Sequence, residues 1–474
     1  LKVSASHIFI STPDSEITYG QLSEFRGRLW SNYVVATKND TTTPVLLLAR
    51  KDIQTALVIS TCFLSQIPLV IIPADSSEQR IQQVFSETKS SSYFGSKSNL
   101  INTPGLINIR IPAIGPNTST DTTIEVSNFD LNKLFAVLYT SGTTSIAKAV
   151  PIRFKQILSA AKNSAINLPL DTNDEWLLNL PLHHIGGVSV LTRSILSGSK
   201  VYLNPAHDTH SLSEIFRNRN SLTHASLVPT QLKRLLDDPD FKLGSKFKAI
   251  LLGGGPISPL IHRSAKERNI PVIPSFGMTE TAAQCISVPT SNWSSVPDGT
   301  SGIPLNGIKL SLRMDSDNNS NTLLWIKGNQ VFDGYCDTTL NQLAIDPDGW
   351  FNTGDYARID ENGYVFIEMR RADRIVTGGE NVNPIAIEEL LESHDSISEA
   401  AVFGVPDEEW GQQVVAAIVT KKNVSPVGMN QLKDYLKNFV PGFMIPKRFI
   451  LVKQLPRTAS GKLIRSELSK IIPD

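Results

Sequence analysis

Tyr139-Thr-Ser-Gly-Thr-Thr-Ser-Ile-Ala-Lys-Ala-Val150 follows directly on the apolar run Leu134 to Leu138, and this junction decides how the chain is read. A β-type run that gives way to hydroxyls and a glycine suits phosphate binding. Backbone N–H and side-chain donors of Thr140, Ser141, Gly142, Thr143 and Thr144 can cradle the oxygens, with Lys148 as a point charge beside them. The general motif G-x-x-x-x-G-K-[ST] does not fit, because Ala147 stands at its second glycine and Ala149 at its metal-binding hydroxyl. A solvated Ser/Thr turn is the plain alternative, so the rest of the chain has to arbitrate.

At 474 residues the chain is too long for one hydrophobic core and predicts two or more domains. Lys+Arg and Asp+Glu balance at 45 each, without a basic run, which excludes nucleic acid as a partner and makes any phosphate binding local. Cys62, Cys285 and Cys336 are odd in number and lack C-x-x-C spacing, arguing against disulfides or zinc and for a reducing compartment. The longest apolar stretch, Ala56 to Pro73, is interrupted by Ser60, Thr61, Ser65, Gln66 and Pro68; it predicts a helix, a turn and a buried strand in place of a membrane span. Leu1 to Ser11 lacks the charged start and cleavage pattern of a signal peptide, so the expected location is cytoplasmic. Self-association into a homo-oligomer is left open.

Short β-branched runs (Pro44 to Leu48, Leu69 to Ile72, Lys248 to Leu252, Val272 to Pro274) alternate with helical periods such as Gln54 to Leu64 and Gln156 to Ile166. From about Gly299 the texture changes to short strands with turn signals at Asp348-Gly349 and Asn362-Gly363, an antiparallel β-subdomain. Polar pieces at Thr118 to Asn128 and Asp315 to Asn321 read as a linker and a hairpin turn. The expected fold is α/β: a large N-terminal domain, residues 1–370, of mixed, mostly parallel sheets covered by helices, with that β-subdomain, and a small α+β C-terminal domain, residues 371–474. Met369-Arg-Arg-Ala-Asp373 is the charged connection suited to a hinge.

Further constellations follow apolar runs. Leu251-Leu-Gly-Gly-Gly-Pro256 and Val272-Ile-Pro-Ser-Phe-Gly-Met-Thr-Glu-Thr281 both sit where strands of α/β sheets meet ligands. Gly254, Gly255 and Pro256 would let a flat base approach the backbone, with Ser275, Phe276 and Gly277 beside it and Phe276 offering a stacking face. Glu280 is a hard carboxylate suited to Mg2+, which ATP would bring, and Thr279 could bond an α-phosphate; a tight turn with an N-cap at Thr279 is the alternative. In Asn352-Thr-Gly-Asp355 the aspartate can accept both hydroxyls of a ribose, and Arg370 can bond ribose or phosphate oxygens. Leu455-Pro-Arg-Thr-Ala-Ser-Gly-Lys462 reads as an exposed turn presenting one lysine. In Asn179-Leu-Pro-Leu-His-His-Ile-Gly-Gly187 the adjacent His183 and His184 would point in opposite directions on an extended segment, which disfavours a shared metal.

Taken together, these segments resemble the adenylate-forming superfamily of acyl-CoA synthetases, luciferases and peptide-synthetase adenylation domains, in the right order from Thr18-Tyr19 to Lys462. The loop is similar to T-S-G-T-T-G-x-P-K-G, with Ser145, Ala147 and Ala149 replacing Gly, Pro and Gly. Phe276-Gly-Met-Thr-Glu280 matches Y/F-G-M-T-E, and Arg370-Arg-Ala-Asp373 matches the hinge, with Ala372 where a pivot Asp, Lys or Ser is usual. The resemblance implies that Lys462 bridges the substrate carboxylate and α-phosphate as the main catalytic residue. It further implies that His184 gates the acyl pocket and that Gly378 and Gly379 line the path of a pantetheine thiol.

The implied reaction is ATP- and Mg2+-dependent adenylation of a small-molecule carboxylic acid, then rotation of the C-terminal domain and thioester formation with CoA. Phe276 to Gln284 and His184 to Arg193 look most like the 2-succinylbenzoate-CoA ligases of menaquinone biosynthesis, which makes Ser189, Arg193 and Gln284 the expected polar anchors for a second carboxylate and a ketone. Gly186 replaces the usual serine there. Another aryl- or fatty-acyl-CoA ligase, an acyl-AMP ligase loading a carrier protein, and a non-catalytic nucleotide-binding protein are the alternatives.

Overall fold

The computed structural model describes residues 3–95, 106–116, 128–140, 147–204, 209–315, 318–421, 427–458 and 461–472. Two sheets dominate. One has six strands in the order Ile107–Ile109, Ser92–Phe94, Val45–Ala49, Leu69–Pro73, Leu134–Tyr139 and Ala149–Arg153, all parallel except the last. The other has nine, running from Ile303–Pro304 through Ala283–Ser287, Val272–Met278, Ala249–Leu252, His224–Leu227, Glu175–Leu178, Lys200–Leu203 and Ile8–Ser11 to Glu16–Thr18.

Alternate side chains of these strands enter different cores, which explains why the runs are apolar throughout. Val45, Leu47, Leu69, Ile71, Ala136 and Leu138 point into a central core, while Leu46, Val70, Ile72 and Val137 point away onto the helix Glu78–Thr88. The nine-stranded sheet does the same. Trp176, Leu178, Val201 and Ile273 face the central core, and Leu177, Tyr202, Ala225 and Ile250 face an outer one formed with the helices Pro229–Leu236 and Pro259–Glu267. Between the two sheets lie the helices Ile53–Ser65 and Ile185–Ser197, almost wholly buried. The apolar stretch Ala56 to Pro73 is such a helix, ended by Gln66 in the left-handed conformation (φ 53°), then a buried strand. Among the described residues no helix is long and apolar enough to cross a membrane.

The change of texture near Gly299 corresponds to a four-stranded antiparallel sheet, Lys309–Asp315, Asn318–Lys327, Phe351–Ile359 and Val365–Arg370, whose Leu324, Ile326 and Phe351 join the central core. Most of the polar piece Thr118 to Asn128 lies outside the described residues, as do positions 316 and 317 of the Asp315 to Asn321 turn. Met369 and Arg370 still belong to a strand, so the connection to the remaining chain is shorter than the sequence suggests: the single 3-10 turn Arg371–Asp373. Ion pairs tie it on both sides, Arg371 to Asp315 at 3.0 Å and Asp373 to Arg465 at 3.4 Å. Beyond it, the strands Glu380–Val382, Ile375–Thr377, Gly411–Thr420, Ile397–Asp407 and Arg448–Leu451 form a separate sheet. It carries its own cores, one with the helices Pro384–Ser393 and Met429–Lys437 and one on the opposite face around Phe403, Val415 and Leu468.

Candidate active site

The strand ends deliver most of the candidate residues to one region. Tyr139 pairs with Ala149, and Thr140 and Lys148 close the base of the hydroxyl-rich loop through Thr140 N–H to Lys148 O (3.1 Å) and Lys148 N–H to Thr140 Oγ1 (3.3 Å). Ser141, Gly142, Thr143 and Thr144 lie outside the described residues. Lys148 Nζ stands 5.0 Å from the centre of the Tyr335 ring, and the Tyr335 hydroxyl donates to Glu280 Oε1 at 2.8 Å. One phenol thus joins the phosphate-side lysine to the candidate metal carboxylate.

Parallel pairing of Ala249–Leu252 with Val272–Met278 sets Leu252 opposite Pro274, so the segment Gly253 to Pro256 emerges beside Ser275, whose Oγ donates to Leu252 O at 2.9 Å. Phe276 is half-buried with its ring packed against the central core. Gly277 is required by the next strand, since a Cβ there would fall 2.1 Å from Ala283 O. The segment then turns through the 3-10 helix Thr279–Thr281, preceded at the cap position by Met278, with Thr281 Oγ1 accepting the Met278 N–H at 3.0 Å; Thr279 is half-buried and Glu280 buried.

Asp355 faces Arg370 across antiparallel strands, Oδ1 to Nε 3.4 Å. Its Oδ2 is buried without a partner among the described residues. Burial raises its pKa to about 6 against the opposing pull of Arg370 and Lys462. Lys462 therefore belongs to the same electrostatic neighbourhood, and its own pKa is lowered by burial and by Arg370 while Asp355 and Asp373 pull it up. The described residues of the turn that carries Lys462, which omit Ala459 and Ser460, are not exposed, contrary to the sequence reading. A bridge between Arg457 and Leu463 folds it back, and Thr230 Oγ1 on the helix Pro229–Leu236 donates to Gly461 O at 3.0 Å, so docking against the nine-stranded sheet's outer helices half-buries it.

His183 and His184 also differ from expectation. The chain turns there to start the helix Ile185–Ser197, with His184 at the cap position, so the two rings lie side by side at 4.3 Å. Burial, then the neighbouring His183 and Lys462, push His184 down to about 3, leaving a neutral imidazole at physiological pH. One face of the same helix carries Gly186, Ser189 and Arg193. The Arg193 guanidinium is buried: it donates to Ser189 O (3.0 Å), Ser189 Oγ (3.3 Å) and Ser164 Oγ (3.0 Å), and lies 4.3 Å over the Trp176 ring. Ser164 also accepts from Gln284 Nε2 at 3.2 Å, while Gln284 Oε1 is buried without a partner among the described residues. Burial pulls Arg193 down to about 9, and no carboxylate among the described residues pairs with it.

Gly378 and Gly379 are not brought to this region. They form the exposed tip of a hairpin in the C-terminal sheet, both at positive φ (58° and 83°), and a Cβ on Gly378 would strike the Trp410 ring at 2.7 Å.

Comparison with known proteins accords with this geometry. The family profile for AMP-binding enzymes matches residues 3–336, and that for the AMP-binding enzyme C-terminal domain matches residues 386–462. The chain belongs to the AMP-binding, adenylate-forming enzymes. The 2-succinylbenzoate–CoA ligase of Bacillus licheniformis is 31% identical over 473 residues, covering 96% of this chain and 95% of that one. The o-succinylbenzoate CoA synthetase of Bacillus subtilis, solved with the acyl-adenylate intermediate, superposes with a TM-score of 0.83 at 27% identity, covering 98% and 95% of the two chains. Its complex with ATP and a magnesium ion gives the same score of 0.83, over 98% and 96%. A double mutant of that synthetase bound to its product analogue gives 0.67 at 27% identity, over 99% and 96%. The chain thus superposes more closely on the adenylate-bound and ATP-bound forms than on the product-analogue complex.

Three residues of the site are absent from the sequence reading. Tyr335 joins Lys148 to Glu280, Ser164 joins Arg193 to Gln284, and Thr230 holds the carbonyl before Lys462. Each is an ordinary polar residue on a helix or loop, and only the distant pairing partner distinguishes it.

Proposed function

We propose that this AMP-forming acid–CoA ligase activates 2-succinylbenzoate and makes its CoA thioester, as a step of menaquinone biosynthesis. The observation that carries the substrate is Arg193. An arginine buried without a protein carboxylate is costly unless a ligand neutralises it. A second carboxylate on the acid would do so by accepting from the guanidinium, with Ser189 and the Gln284 amide as its polar neighbours. The similarity to 2-succinylbenzoate–CoA ligases supports the same choice.

In the first half-reaction a carboxylate oxygen of the acid attacks the α-phosphorus of ATP and the bond to pyrophosphate breaks, giving acyl adenylate. Two anions meet, so the barrier is largely electrostatic. Lys462 is assigned to the oxygens between acid and α-phosphate, with Thr279 bonding the α-phosphate. Thr140, Lys148 and the loop Ser141 to Thr144 serve the β- and γ-phosphates. Gly254 to Pro256 and Ser275 to Gly277 frame the base, and Asp355 and Arg370 take the ribose, for which the unpartnered Asp355 Oδ2 is a ready acceptor. Glu280 fits Mg2+ as a buried carboxylate oriented by Tyr335. No cluster of three or more His, Cys, Asp or Glu able to hold a metal exists among the described residues, so phosphate oxygens and water would complete the coordination. A bound Mg2+ would supply neutralisation of phosphate charge. Neutral His184 borders the acyl group.

In the second half-reaction the C-terminal unit, residues 371–474, turns about Arg371–Asp373, withdrawing Lys462 and bringing Gly378 and Gly379 to line the thiol's path. The CoA sulfur attacks the acyl carbon, AMP leaves, and the thiol proton is released. Mass spectrometry of products from ATP, CoA and 2-succinylbenzoate tests the proposal: 2-succinylbenzoyl-CoA and AMP are expected. Their absence, with thioester formed from another acid, would overturn the substrate.

A further inference from the structure

Contacts between the helix Pro229–Leu236 and the C-terminal unit are polar and concentrated. Lys233 Nζ bonds Glu392 Oε2 at 2.7 Å and also the carbonyl of Ser398. Arg234 meets Glu399 Oε1 at 3.4 Å, and the other oxygen of Glu399 holds Arg457 at 2.5 Å. Arg457 and Thr230 both donate to the carbonyl of Gly461, each at 3.0 Å, one residue before Lys462. A polar cleft of about 610 Å³, lined by Gln231 and Arg234 on one side and Lys453 and Arg457 on the other, runs beside these contacts, so at this helix the docking is polar. The Lys233–Glu392 pair is partly sheltered, at 23% and 25% exposure, which places it above a free surface pair. At its other end the helix begins at Pro229, against which Gly255 of the glycine segment rests.

From these contacts we infer that the helix Pro229–Leu236 is a bracket for the adenylating arrangement, with Lys233 and Arg234 as positioning residues that seat Lys462 through Glu392, Glu399 and Arg457. They touch no reacting atom. Their contribution is to the population of one arrangement, so the two half-reactions must respond differently. The assay, but not the bracket itself, rests on the ligase reading above.

The test separates adenylation, followed as 2-succinylbenzoate-dependent exchange of pyrophosphate into ATP, from thioester formation, followed in a single turnover of preformed acyl adenylate with CoA. Lys233→Glu is expected to slow exchange about fivefold to tenfold while leaving the thioester step within about twofold of wild type. Combining Lys233→Glu with Glu392→Lys should recover most of the exchange. Equal loss in both half-reactions, unchanged exchange, or no recovery in the reversed pair would overturn the bracket. A wild-type protein that exchanges with no acid would overturn the ligase reading instead. Small-angle scattering then decides the bracket: a larger radius of gyration for Lys233→Glu supports it, and superimposable curves overturn it.

Discussion

Asp355 is a carboxylate that burial makes reluctant to ionise, with a pKa near 6 in the absence of nucleotide. Accepting two ribose hydroxyls requires the ionised form, so ATP affinity should strengthen as pH rises through 6 and weaken below it. Calorimetric titration with ATP between pH 5 and pH 8 should find this slope in the wild type and lose it in Asp355→Asn, which binds more weakly throughout. An identical slope in the variant would remove Asp355 from the ribose. His184, held near 3, contributes no titration in that range. In the proposed mechanism Lys462 serves one half-reaction only: Lys462→Ala should cut pyrophosphate exchange by about two to three orders of magnitude. Thioester formation from supplied acyl adenylate should persist, and its loss in parallel would mean that Lys462 is structural.

Among the elements, the close approach of Val272–Met278 to Ala283–Ser287 depends on Gly277. Gly277→Ala puts a methyl into the Ala283 carbonyl and should destabilise the N-terminal unit by about 2–4 kcal/mol, read as a shift of the urea midpoint at unchanged slope. A midpoint equal to wild type would show that the strands can part at no cost. The strands and helices were legible in the chain because both faces of the two large sheets are buried: Val45 to Ala49 and Leu69 to Pro73 are continuous apolar runs. The candidate site was legible where it uses glycines, carboxylates and lysines at short spacing, as in Phe276 to Glu280. What stayed hidden depends on partners far away in sequence. An extended segment would turn His183 and His184 apart, but the helix cap bends the chain. The composition around Lys462 predicts an exposed turn, but Thr230 lies against it from a helix more than two hundred positions earlier. No local pattern encodes such a meeting, because the register between distant elements is set by the packed sheets.

For the whole molecule, the two units have separate cores, joined by the Arg371–Asp373 turn and a small apolar contact of Ile385 on Leu323, Tyr356 and Met369. Proline fixes φ, so Ala372→Pro should impede rotation at this turn. Adenylation by Ala372→Pro is expected to stay near wild type while single-turnover thioester formation falls at least about tenfold; equal effects on both would move the pivot elsewhere. The sides of the bracket are ammonium, guanidinium and carboxylate groups, with a polar cleft beside them. In the proposed rotation, swinging the C-terminal unit away would bare mainly hydrophilic surface, the small Ile385 contact being the apolar exception. An enzyme that opened a greasy seam on every turnover would present a sticky face to its neighbours each time. In the proposed cycle the charged faces that part beside this helix would be hydrated at once, which favours remaining dispersed at high concentration.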